Sequence, residues 1–76
     1  MMKVEVLFEI DYYDGVSEFL GMIDGSFCYA VADNLLDDVR FFRYWKLDEQ
    51  GGRLHEVLQL DCYGSFDDTD IEWIKK

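Results

Sequence analysis

Seventy-six residues hold one hydrophobic core, so the chain reads as a single domain over 1–76, and 17 acidic against seven basic side chains leave a formal net charge of −10. That charge opposes direct binding of nucleic acid, where cationic contacts and counterion release supply the affinity. Half the residues are hydrophobic and 17% are aromatic, which excludes a disordered acidic tail.

Alternation with period two dominates from the start. In KVEVLFEID, Val4, Val6, Phe8 and Ile10 share one face while Glu5, Leu7, Glu9 and Asp11 share the other, the pattern of a half-buried strand. The opening MMKVEVLFEI lacks a signal-peptide apolar run. The longest uncharged run, GSFCYAVA, has eight residues, against the roughly 20 a membrane-spanning helix needs. A soluble, cytoplasmic protein is therefore expected.

After a turn at YYDG, the segment VSEFLGMI-DG-SFCYAVAD is a hairpin pattern around Asp24-Gly25, a dipeptide favoured in type I′ turns because both positions need positive φ. A two-residue loop sets Ile23 opposite Ser26, Met22 opposite Phe27, Leu20 opposite Tyr29 and Glu18 opposite Val31. Leu20, Met22, Phe27, Tyr29 and Val31 then form the expected core face. The opposite face, with Phe19, Gly21, Ile23, Cys28, Ala30 and Ala32, is small-chained and apolar enough to need a cover. The C-terminal segment or a second copy of the chain would serve, which makes Phe19, Ile23, Cys28 and Ala30 candidates for self-association.

NLLDD is a short connection, and VRFFRYWKL reads as a strand with Val39, Phe41, Arg43, Trp45 and Leu47 on one side. DEQGGR is a turn. LHEVLQLDCY fits a strand through Leu54, Leu58 and Leu60, or a short helix through Leu54, Val57 and Leu58. In the tail FDDTDIEWIKK, Ile71 and Trp73 alternate as a strand, although Thr69 and Glu72 also fit a helical capping box. The expected fold is mainly β: a small antiparallel sheet of five to six strands in meander order, with room for one short helix. A small α+β fold is the alternative.

Catalytic signals are weak. His55 is the only histidine, no nucleophile motif accompanies it, and Gly51-Gly52 lacks the lysine and spacing of a phosphate-binding loop. Cys28 and Cys62 lie far apart without CxxC spacing, and a zinc site would need further ligands. They read as two thiols in a reducing compartment. DDTDIE resembles the start of a calcium loop but lacks its glycine at the sixth position. The expectation is a protein that is not an enzyme and that carries no cofactor and no dedicated metal.

The charge is segregated along the chain. From Val4 to Val39 there are nine acids and no base; Arg40, Arg43, Lys46 and Arg53 then cluster; from Leu54 to Ile74 there are six more acids and again no base. Aromatics interleaved with the basic group resemble a base-stacking platform, but the overall charge favours the reverse role. A folded 76-residue chain is about 30 Å across, and duplex DNA of that length carries roughly 17 phosphates. The expected function is a non-enzymatic acidic module that binds a basic protein, with an inhibitor occupying that partner's nucleic-acid site as its sharpest form. Viral counter-defence inhibitors of restriction or CRISPR enzymes are similar in charge and size, an analogy that carries no motif. The carboxylates expected at turns and strand ends are Asp14, Glu18, Asp33, Asp37, Asp38, Asp67, Asp68 and Asp70. The rival expectation is a β-mediated homo-oligomer whose acidity serves only solubility.

Overall fold

The computed structural model describes residues 2–12, 15–36, 39–47, 54–59 and 61–74. They form strands β1 (Met2–Tyr12), β2 (Val16–Ile23), β3 (Ser26–Leu36) and β4 (Val39–Lys46), one helical turn α1 (Leu54–Val57), then β5 (Gly64–Asp67) and β6 (Ile71–Ile74). The six strands make one sheet in the order β5-β4-β3-β2-β1-β6. Strands β1 to β4 follow the expected antiparallel meander, Leu54–Val57 takes the helical alternative, and the meander is continued instead by β5. The sixth departs from it: β6 lies parallel to β1, from Met2 opposite Ile71 to Glu5 opposite Ile74. The sheet is therefore mixed, which corrects the purely antiparallel expectation.

Chain length explains why the sheet curls. Its two outermost strands, β5 and β6, are joined by only Asp68, Thr69 and Asp70. The four Cα steps from Asp67 to Ile71 reach at most about 14 Å. In a flat sheet, five inter-strand spacings would separate those edges by about 24 Å. The short link is possible only if the edges bend toward one another. The sheet consequently has a concave face, and the core lies there.

The hairpin forms as its turn chemistry dictates. Asp24 and Gly25 have φ of 49° and 84°, and the β2–β3 register pairs Ile23 with Ser26, Met22 with Phe27, Leu20 with Tyr29 and Glu18 with Val31. Its sidedness is the reverse of the expectation. Phe19, Cys28 and Ala30 are wholly buried and Ile23 nearly so, in one cluster with Val4, Phe42, Tyr44, Phe66 and Ile71. Phe27, expected inside, is exposed, and Leu20, Met22 and Val31 are half-buried. A concave face offers less room per strand than a convex one, so the small residues belong inside. The cover is the chain's own C-terminal part, because Phe66, Ile71 and Trp73 pack over this face. Phe19, Ile23, Cys28 and Ala30 thus do not form a self-association surface.

Aromatic contacts tie the closing strands to the middle of the sheet. Phe42 stacks on Phe66 at 5.1 Å between ring centres and meets Phe19 and Trp73 edge-on at 5.8 and 6.2 Å. Gly21 allows the tightest approach: a Cβ there would stand 2.1 Å from the Glu5 carbonyl oxygen. On the convex side, Tyr29 and Trp45 are also buried, their rings 5.8 Å apart.

Candidate acidic binding surface

Strand order turns the charge pattern of the sequence into a spatial one. The neighbouring strands β6, β1 and β2 carry Glu72, Glu5, Glu9, Asp11 and Glu18 against a single base, Lys3. Strand β4, separated from β2 by β3, carries Arg40, Arg43 and Lys46 and no acid. Because β6 inserts beside β1, Glu72 from the second acid-rich segment sits opposite Lys3, two residues from Glu5 of the first.

Like charges meet within this arc. Asp11 and Glu18 are Cα partners across the β1–β2 ladder, and carboxylates directly opposite one another destabilise a sheet. Glu18 accepts a hydrogen bond from the Tyr29 hydroxyl. Burial and the neighbouring Glu18 carboxylate push the Tyr29 phenol well above its ordinary pKa. Asp11 accepts from the backbone N–H of Tyr12 at 2.9 Å, beside a register shift where β1 leaves its regular pairing.

The expected site residues divide by placement. Glu18 lies on β2 within the acidic arc. Asp67, Asp68 and Asp70 come together at the β5–β6 turn, where two of them serve the fold. Asp67 accepts from the Thr69 N–H at 3.0 Å and the Thr69 hydroxyl at 2.5 Å, which hold its carboxyl below its ordinary pKa. Asp68 accepts from the Arg40 N–H at 3.2 Å, while its own N–H donates to the Arg40 carbonyl at 3.0 Å. Asp70 is exposed. Asp33 is the extra residue where the β3–β4 register shifts between Ala32 and Asn34. Asp14, Asp37 and Asp38 lie outside the described residues.

Glu5, Glu9, Asp11 and Glu72 were not among the expected site residues, because the choice favoured turns over strands. For Glu5, Glu9 and Asp11 the signal was present in the alternation of KVEVLFEID, and for Glu72 in that of the tail, which already place acids between apolar positions.

The basic group is built into the structure. Arg40 is buried and donates from Nη1 to the Val16 carbonyl at 2.8 Å, passing over Gly15, where a Cβ would come within 3.1 Å. It thereby links the start of β2 to the β5–β6 turn. The Arg43 guanidinium lies 5.5 Å from the centre of the Trp45 ring, and the Lys46 ammonium 4.1 Å from that of Tyr63. A hydrogen bond with Tyr63 raises the Lys46 pKa.

Other chemistry is sparse among the described residues. Cys28 is buried and Cys62 half-buried, both as free thiols, and burial pushes the Cys28 pKa up. No group of three His, Cys, Asp or Glu side chains is positioned to hold a metal ion among the described residues. An open cleft of about 450 Å³ runs between Met2, Phe41, Ser65, Phe66, Asp67 and Asp70. No helix among them is long and apolar enough to cross a membrane.

No family model, curated protein or solved structure matches this chain.

Proposed function

We propose that this chain is a non-enzymatic binding module that captures a basic protein through the carboxylates of its β6-β1-β2 arc. The observation that carries the proposal is the segregation of charge by strand, five acids against one base on three adjacent strands and three bases without an acid on β4. A cationic partner would relieve the Asp11–Glu18 repulsion that the fold otherwise bears. Holding carboxylates on a hydrogen-bonded sheet also reduces the ordering cost of association.

In its sharpest form, the module is an inhibitor occupying the nucleic-acid site of its partner. The long axis of the molecule is 36 Å, a length over which duplex DNA carries about 21 phosphates. The chain brings 17 carboxylates to a body of that length. Burial of Phe19, Ile23, Cys28 and Ala30 removes the main support for the homo-oligomer.

The test is capture of purified basic nucleic-acid-binding proteins by the immobilised chain, at low and high salt, with duplex DNA as competitor. Binding that falls steeply with salt and is displaced by DNA is expected. Binding indifferent to both would overturn the proposal.

A further inference from the structure

The distal half of β1 is built differently from the rest of the sheet. Among the described residues, β6 pairs with β1 only from Met2 to Glu5, whereas β2 pairs with β1 as far as Tyr12. From Phe8 to Tyr12 the strand therefore has a ladder neighbour on one side only, leaving about 17 Å of open edge. The side chains along it are apolar and exposed: Phe8 is 62% exposed, Tyr12 64%, and Leu7 and Ile10 41% each. Four of the nine exposed large hydrophobics among the described residues thus fall within six consecutive positions. An edge of this kind recruits another strand unless something forbids it.

Charge decides which strand. Glu9 and Asp11 are exposed and alternate with Phe8, Ile10 and Tyr12, and Glu18 stands beside Asp11 on β2. An antiparallel second copy would bring its own Glu9, Asp11 and Glu18 to the same short edge, where like charges across the new ladder repel. A segment alternating apolar residues with Lys or Arg would instead set its cations on one face, beside the paired carboxylates of Asp11 and Glu18.

We infer that the Phe8–Tyr12 edge of β1 accepts an extended, cationic segment of a partner protein as an added strand. This rests on the acidic binding function proposed above and assigns it a place and a mode. Main-chain hydrogen bonds would supply affinity, the apolar side chains would bury against Phe8, Ile10 and Tyr12, and the carboxylates would exclude acidic or self pairing.

The test titrates the full chain, followed by amide resonances, with a capped nine-residue peptide alternating lysine with valine. The comparison peptides are the same sequence N-methylated at alternate residues and a version with glutamate for lysine. Expected are shifts and slowed hydrogen exchange centred on Phe8–Tyr12. Binding should weaken at least tenfold with the methylated peptide, vanish with the glutamate peptide, and weaken at least tenfold in the exposed double variant Glu9→Lys, Asp11→Lys. If the methylated peptide binds as tightly as its parent, strand addition is wrong although charge-driven capture stands. Shifts centred away from β1 likewise remove the assigned place. No binding of the lysine peptide even at low salt, with the basic-protein capture also negative, would remove both proposals. A sedimentation mass twice that of the chain, lost when Glu9 and Asp11 are retained but Ile10 is replaced by Lys, would make a second copy the occupant and overturn the charge argument.

Discussion

The two halves of β1 share one alternating pattern and end in opposite environments. Near its start, Val4 is fully buried between Ile23 of β2 and Trp73 of β6; six positions on, Ile10 is 41% exposed. Both belong to the run Val4, Val6, Phe8, Ile10. The difference lies in what flanks the strand. The first half has a neighbour on each side and the aromatic cluster beneath it, while the second passes through register shifts after Val6 and Glu9 and has, among the described residues, one neighbour. The shift between Val6 and Phe8 sets Phe8 opposite Leu20, on the other face from Val4 and Val6, so the alternation of the sequence marks the faces of β1 only as far as its pairing stays regular.

The largest effects should come from breaking the covered half. Phe19→Ala would leave a cavity where three aromatic rings meet, at a cost of about 3–5 kcal/mol. A small domain has a total stability near the low end of about 5–15 kcal/mol, so this variant should be largely unfolded by circular dichroism at room temperature. Gly21→Ala should cost about 3 kcal/mol, because the new methyl group collides with the Glu5 backbone and the β1–β2 ladder must move. Urea unfolding would measure it; a loss below ~1 kcal/mol would mean that β1 does not pass that closely.

The next test compares the halves directly. Val4→Ala should cost about 2 kcal/mol, whereas Phe8→Ala should stay within about 0.5 kcal/mol. Equal costs in urea unfolding would show that the distal half is packed after all, and the open edge would disappear with it.

The smallest expected effects are those of pH. The folded-state pKa of Tyr29 is raised above its ordinary value of 10.0, so its contribution is complete below pH 10 and declines as pH rises above that value. Alkaline unfolding should therefore shift in Tyr29→Phe, with phenolate absorbance separating the buried ring from the exposed tyrosines. Asp67 runs the other way. Its folded-state pKa lies below its ordinary value of 3.8, so its contribution is present above that value and is lost as pH falls through the folded one. An acid titration of Asp67→Asn should show a slightly flatter decline than the parent chain.

Much of the fold was legible because local chemistry settles it. Asp24-Gly25 admits few turns, and a two-residue loop leaves one register, which the structure reproduces pair for pair. The tail strand at Ile71 and Trp73 also followed from alternation, and the helical alternative at Thr69 gave way to the turn held by Asp67. The short strand at Gly64–Asp67 went unforeseen, since four residues beginning with glycine carry almost no periodic signal. The acidic arc was half legible. Its residues alternate openly in the sequence, but their grouping required β6 to insert beside β1.

By itself, the sequence determined the strand class, the hairpin and its register, and the separation of acids from bases along the chain. All of these depend on near neighbours or on simple sums. Only the tertiary structure decided which hairpin face is the core, that the sixth strand runs parallel to the first, and which carboxylates stand side by side. Those outcomes depend on closure: a three-residue link draws the sheet edges together, and the face able to curl inward is the one lined with Gly21, Cys28 and Ala30.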